Sequence, residues 1–67
     1  MLKKIAEKYE GTTVGYKLVD ADGVVRFYIT DGGTGDTKWN LHEGDSPLVG
    51  LVDAYPTLKA AVAAANA

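Results

Sequence analysis

Asp22-Gly23 separates two runs of alternating apolar and polar residues, and this combination constrains the fold more than any other part of the chain. An Asp-Gly pair between alternating runs is a strong signal for a β-hairpin, because glycine readily adopts the positive φ that tight turns need. A shift of one residue would mix apolar and polar side chains on both faces of the hairpin. The predicted cross-strand pairs are Tyr16–Ile29, Lys17–Tyr28, Leu18–Phe27 and Val19–Arg26.

The segments on either side of this hairpin predict two further strands and a helix at each end. Apolar residues from Leu2 to Tyr9 recur at helical spacing, with Gly11 as a stop, and Thr57 is a suitable N-cap for the last helix. The predicted elements are a helix over 2–10, strands over 13–19, 24–30, 37–41 and 48–52, and a helix over 58–66. We expect one α+β domain over 1–67, a four-stranded antiparallel meander with the N- and C-terminal helices packed on one face.

The small size of the chain limits the functions that this fold can carry. Sixty-seven residues bury only about 60% of the surface of the unfolded chain, and no disulfide can add stability because the chain has no cysteine. The same lack of cysteine excludes a thiol nucleophile and a Cys-ligated metal. A large enzymatic cleft is hard to build in so small a core, which favours a binding module over an enzyme and predicts no cofactor.

The sequence predicts a cytoplasmic protein. No apolar run approaches the roughly 18–20 residues of a membrane span, and the stretch 1–5 does not lead into the apolar region of a signal peptide. The formal net charge of −2 is ordinary for a soluble globular domain and unlike that of a strongly basic nucleic-acid coat.

The sheet face away from the helices is the first candidate binding surface. Alternation within the strands places basic, amide and aromatic side chains on it, interleaved with Thr30. Such a face can contact a protein, or it can contact nucleic acid through phosphate, base-edge and stacking interactions. The candidate residues are Lys17, Arg26, Tyr28, Lys38 and Asn40.

The fourth predicted strand is the second candidate surface. The stretch 48–52 is apolar on both faces and lies at the sheet edge, where its backbone would be unpaired. Val49 and Leu51 are the residues we expect to contact a protein partner or a second copy of the chain, so a homodimer is one predicted assembly.

Three other features of the sequence do not predict a phosphate-binding, catalytic or metal site. The loop 32–35 is rich in glycine but does not open a helix, so it lacks a phosphate-binding context. His42 and Ser46 share a predicted surface turn without a rigid oxyanion hole, and a single histidine cannot make a His-rich zinc site. The acidic side chains predicted to gather at one end of the sheet lack the spacing of a Ca²⁺ loop, so we expect solvated turns and no metal. These acids are Asp20, Asp22, Glu43 and Asp45.

The C-terminal half of the chain resembles a known module. The strand with Trp39, then a turn, then Tyr55-Pro56-Thr57-Leu58 leads into an alanine-rich helix containing Ala60, Ala61 and Ala64. This order, within 14–65, resembles small phage and bacterial modules such as the arm-site DNA-binding domain of phage integrases. The resemblance implies that the sheet contacts a DNA groove. By position, the implied contacts are Lys17, Arg26, Tyr28, Lys38 and Asn40.

The sequence favours a small non-enzymatic protein–protein interaction module, phage-encoded and self-associating. The alternative is a nucleic-acid-binding module that uses the exposed sheet face. Residues 20–53 hold seven acidic and two basic side chains, a net charge of −5, and this charge would repel a phosphate backbone. We therefore rank the protein-binding function first.

Overall fold

The computed structural model describes residues 1–32 and 38–67, which form five strands and one helix. The sheet is an antiparallel meander in which the strands lie in chain order. The elements are β1 (Lys3–Tyr9), β2 (Thr12–Val19), β3 (Val25–Asp31), β4 (Trp39–Glu43), β5 (Leu51–Tyr55) and α1 (Leu58–Ala65). The α+β antiparallel architecture is as expected, but the number of strands and helices is not.

The predicted N-terminal helix over 2–10 is wrong, because these residues form the edge strand β1. A helix of nine residues is marginal in water, and pairing with β2 from Lys3 to Tyr9 overrides the helical spacing of its apolar residues. Glu10 and Gly11 have φ of 50° and 81° and form a two-residue hairpin turn that returns the chain to Thr12. Gly11 therefore closes a hairpin and does not end a helix. The sheet gains a fifth strand, and a single helix packs on it in the described part of the chain.

The β2–β3 hairpin has the predicted register at three of its four predicted pairs. Tyr16 pairs with Ile29, Lys17 with Tyr28 and Leu18 with Phe27. The fourth pair differs, because Val19 pairs with Val25 and not with Arg26. The turn is longer than two residues: the Asp20 N–H donates to the Val24 carbonyl, and Gly23 takes a φ of 83° between them. A bulge next to Val19 absorbs the extra residue.

The last two strands lie further along the chain than predicted. The predicted strand over 37–41 starts at Thr37, outside the described residues, and β4 continues to Glu43. The predicted strand over 48–52 begins too early, because Gly50 has a φ of 74° and its carbonyl accepts the Glu43 N–H at 2.8 Å in the connection before β5. The strand then continues to Tyr55, which pairs with Trp39. The last helix starts at Leu58 as predicted and ends at Ala65.

The core lies between α1 and the three central strands. Leu18, Ile29 and Leu41 are almost fully buried beneath Ala61 of the helix. An alanine at this position lets the helix backbone approach the sheet closely, because its side chain is a single methyl group. Partly buried apolar side chains surround the four: Leu2, Tyr16, Phe27, Trp39, Tyr55, Leu58, Val62, Ala64 and Ala65.

Hydrogen bonds fix both ends of α1. The Thr57 hydroxyl accepts the Ala60 N–H at 3.0 Å, as expected of an N-cap. At the other end, the Asn66 side-chain amide donates to the Val62 carbonyl and its oxygen accepts the Leu2 N–H at 2.7 Å. This last bond attaches the start of β1 to the end of the helix. Among the described residues, no helix has the length and apolar character needed to cross a membrane.

Removal of one methyl group from this core should lower stability measurably. Ile29→Val shortens a side chain that is 0% exposed, and we expect the free energy of unfolding to fall by about 1 kcal/mol. Val24→Ala at an exposed position is the matched control and should change it by less than about 0.5 kcal/mol. Urea denaturation monitored by Trp39 fluorescence measures both. Equal effects from the two variants would contradict the assignment of the core.

Candidate protein-binding surface

The strand register arranges the side chains of the sheet face opposite α1, here called the open face, in two rows. Each row crosses all five strands, because antiparallel partners point to the same side. The first row is Ile5, Lys17, Tyr28, His42 and Leu51, and the second is Glu7, Gly15, Thr30, Asn40 and Ala54. The register thus brings the predicted residues Lys17, Tyr28 and Asn40 together on this face. Arg26 and Lys38 lie outside these two rows.

Tyr28 packs flat against the open face and is not available as a stacking platform. Its side chain is 6% exposed, and its ring covers Gly15, where an added Cβ would lie 2.8 Å from the ring carbon Cε1. Desolvation by burial, followed by the nearby Glu7 carboxylate, raises the pKa of Tyr28 above its usual 10.0. The tyrosine and the glycine thus fill the centre of a sheet face with one compact contact.

The three predicted basic contacts are each next to a carboxylate. The distances between the charged atoms are 3.3 Å for Lys17 and Glu7, 2.8 Å for Arg26 and Asp20, and 3.7 Å for Lys38 and Asp31. Lys38 also places its Nζ 5.0 Å from the centre of the Trp39 ring. A phosphate would have to compete with these carboxylates for each cation. The arrangement reduces the attraction of these three side chains for nucleic acid.

Asp20 organises the turn at one end of the sheet. Its carboxylate accepts the N–H groups of Asp22 and Val24 at 2.9 and 3.0 Å and the Arg26 Nε–H at 2.8 Å. The hydrogen bond from Arg26, followed by that from Val24, lowers the pKa of Asp20 below its usual 3.8. Ionised Asp20 therefore stabilises the fold at pH values above its usual pKa of 3.8. This contribution is lost as the pH falls through the lowered pKa.

The acidic residues predicted at this end of the sheet meet only in part. Asp20 and Glu43 line one open groove of about 670 Å³, together with Met1, Arg26 and Asn66 among others. No group of three or more potential metal-ligating side chains occurs within residues 1–32 and 38–67.

Of the glycine-rich loop over 32–35, Gly32 is described and residues 33–35 lie outside the described part.

His42 is placed differently from its predicted surface turn. It belongs to β4, is 7% exposed and lies opposite Tyr28 on the open face. Its Nδ1 donates to the Val49 carbonyl at 3.1 Å, and its Nε2 lies 3.4 Å from the Thr30 hydroxyl. The ring therefore attaches the connection before β5 to the sheet. The alternation of Lys38, Asn40 and His42 on one side of the strand was the sequence signal for this placement.

His42 and Ser46 do not form a nucleophile–base pair. The Ser46 hydroxyl accepts the Leu48 N–H at 3.1 Å and so shapes the turn in which it lies. Both ring nitrogens of His42 contact other groups, the Val49 carbonyl and the Thr30 hydroxyl. Each side chain thus has a local structural partner that accounts for its position.

Strand β5 and the two residues before Gly50, here together called the β5 edge, expose four large apolar side chains. In the described structure β5 has one neighbouring strand, β4, so its outer backbone edge is open. The exposed fractions are 87% for Leu48, 66% for Val49, 62% for Leu51 and 53% for Val52. Val49 and Leu51 were predicted contacts, whereas Leu48 and Val52 were not. Exposure on this scale over five residues is typical of an interaction site.

Comparisons of the chain with protein-family models, with curated proteins and with solved structures found no match.

Loss of the His42 anchor should loosen the connection before β5. His42→Ala removes the bond to the Val49 carbonyl, and we expect a loss of about 1–2 kcal/mol in the free energy of unfolding. Amide hydrogen exchange at Glu43, which donates to Gly50, should accelerate more than exchange at Ile29. Thr30→Val is the matched control, since it removes the 3.4 Å contact and leaves the Val49 bond in place. Unchanged exchange at Glu43 in His42→Ala would contradict the anchoring role.

Ionisation of Tyr28 should destabilise the protein in alkali. Because its pKa is raised in the folded state, the stability it contributes is complete below about pH 10 and is lost as the pH rises through the raised value. Urea denaturation between about pH 8 and about pH 11 should show that the free energy of unfolding falls less with rising pH in Tyr28→Phe than in the wild type. Tyr9→Phe, at a side chain that is 68% exposed, should behave as the wild type does. An equal alkaline loss in all three proteins would show that Tyr28 is not the responsible group.

Proposed function

We propose that the protein is a small non-enzymatic interaction module that binds a protein partner along the β5 edge. The observation that carries the proposal is the exposure of Leu48, Val49, Leu51 and Val52 on and beside an open strand. A partner segment in extended conformation would add its backbone hydrogen bonds to the free edge of β5. Its apolar side chains would cover the exposed ones, as in other cases of strand addition.

The two edges of the sheet are protected to different degrees. Strand β1 carries Lys3, Lys4 and Lys8, and lysine on an edge strand discourages pairing with strands that lack acidic residues to offset its charge. The only charged residue of β5 is Asp53, whose carboxylate accepts the Ala54 N–H at 2.8 Å. This bond occupies one backbone donor in the second half of the strand. The first half, with Leu51 and Val52, carries no such protection among its described contacts and is the part that we propose to bind.

The other candidate functions have less support. Lys17, Arg26 and Lys38 contact carboxylates and Tyr28 is buried, so nucleic acid would find few free groups among the predicted contacts. The engagement of His42 and Ser46 in local hydrogen bonds supports a non-enzymatic role. Protein binding along β5 therefore accounts for the surface better than the alternatives.

A display library of seven-residue extended peptides tests the proposed function. The immobilised protein selects peptides, and their affinities are then measured for the wild type, Val52→Lys and Val24→Lys. We expect the selected peptides to alternate apolar residues and to bind Val52→Lys at least about tenfold more weakly than the wild type. Val24→Lys places the same charge at a comparably exposed valine outside β5 and should bind as the wild type does.

Two outcomes would contradict the proposal. Peptides that bind Val52→Lys with the same affinity as the wild type would place the site elsewhere. Binding of a random-sequence DNA duplex that weakens steeply with salt and is lost in Lys17→Glu would instead favour the nucleic-acid alternative.

A further inference from the structure

The two open edges of the sheet carry opposite charge. Strand β1 holds three lysines and one glutamate, and that glutamate is already in an ion pair with Lys17 of β2. The stretch 44–55, which is the connection after β4 together with β5, holds Asp45 and Asp53 and has no lysine or arginine. One edge is therefore basic and the other acidic, although the net charge of the whole chain is only −2.

The basic edge also exposes apolar side chains. Ile5 is 42% exposed on β1, and Tyr9 at the end of the strand is 68% exposed. They offer an apolar surface that could cover Leu51 and Val52 of another molecule. Each edge thus combines an open backbone, apolar side chains and charges opposite in sign to those of the other edge.

Pairing between like edges is disfavoured. Two β5 edges would bring the acidic residues of both molecules together, and two β1 edges would do the same with their lysines. Like charges on facing strands are destabilising, whereas opposite charges contribute roughly 0.2–1 kcal/mol per pair. Attraction is therefore expected only between a β5 edge and a β1 edge.

We propose that the occupant of the β5 edge is the β1 edge of a second copy of this chain. The inference rests on the proposed function and names the partner of that same surface. Because the contact joins two different surfaces of the molecule, it is heterologous, and each added copy presents a free edge to the next. The assembly is a head-to-tail row of sheets or a closed ring.

The contact is small and should be weak. It involves the five residues of β5 and the neighbouring apolar pair, compared with about 1,600 Å² in a standard stable interface. Association should therefore depend on concentration. It should also weaken as salt rises to about 1 M, where the screening length is about 3 Å, because part of the attraction is between exposed charges.

Light scattering after size-exclusion chromatography tests the assembly, with the wild type loaded from about 10 µM to about 1 mM. The wild type should exceed its monomer mass of 7.1 kDa as concentration rises. Two variants each block one edge: Val52→Lys adds a charge to the acidic edge, and Lys3→Glu/Lys8→Glu reverses the basic one. Each variant alone should need at least about ten times the concentration of the wild type to associate. Lys59→Glu, on the exposed side of α1, is the control for altered charge and should assemble as the wild type does.

An equimolar mixture of the two blocked variants gives the decisive result. One partner retains its β5 edge and the other its β1 edge, so the mixture should form a discrete 1:1 dimer of twice the monomer mass and no larger species. This gain of association also shows that both variants are folded. Self-association of Lys3→Glu/Lys8→Glu alone would overturn the proposal, because it would indicate pairing between two β5 edges. A wild type that stays monomeric over the whole range would also overturn it.

The peptide experiment separates this failure from failure of the proposed function. Lys3→Glu/Lys8→Glu keeps an intact β5 edge and should bind the selected peptides with wild-type affinity. Peptide binding without self-association would leave the proposed function standing and refute the second copy as partner. If the peptides do not bind and the wild type also stays monomeric, both proposals fail.

Discussion

The packing of Ala61 onto Leu18, Ile29 and Leu41 is the interaction on which the rest of this structure depends. It joins the helix to three adjacent strands and contributes most of the fully buried apolar surface in the described chain. A core this small leaves little excess stability, because burial in a short chain barely exceeds the loss of conformational entropy. The termini are therefore also held, and the bond from Leu2 to Asn66 attaches the first strand to the end of the helix.

The open face is stabilised without a covering helix in the described structure. Tyr28 lies over Gly15, and His42 joins Thr30 to the Val49 carbonyl, so the sheet covers part of this face with its own side chains. The same groups limit what the face can bind, since an aromatic ring that is only 6% exposed cannot stack on a base. His42 has a second consequence, because it holds the connection that leads into β5 and so positions the exposed apolar residues there.

The edges explain how one short chain can present two different surfaces. A meander of five strands leaves its first and last strands with one neighbour each. The first strand carries lysines, whereas the last exposes leucine and valine. This difference in exposed side chains motivates the proposed binding at β5 and the pairing of unlike edges.

The local sequence determined those elements whose signals agree at short range. The alternation around Asp22-Gly23 predicted the central hairpin and three of its pairs, and Thr57 predicted the start of α1. The exposure of Val49 and Leu51 also followed from the apolar stretch before Asp53, and the alternating pattern predicted that Lys17, Tyr28 and Asn40 share one face. Tertiary contacts alone set the state of the first ten residues, because their apolar residues recur at helical spacing, whereas pairing with β2 satisfies one backbone edge of an extended strand. Long-range contacts likewise decided the positions of Tyr28 and His42, since their burial depends on Gly15 and on the Val49 carbonyl, which belong to other parts of the chain.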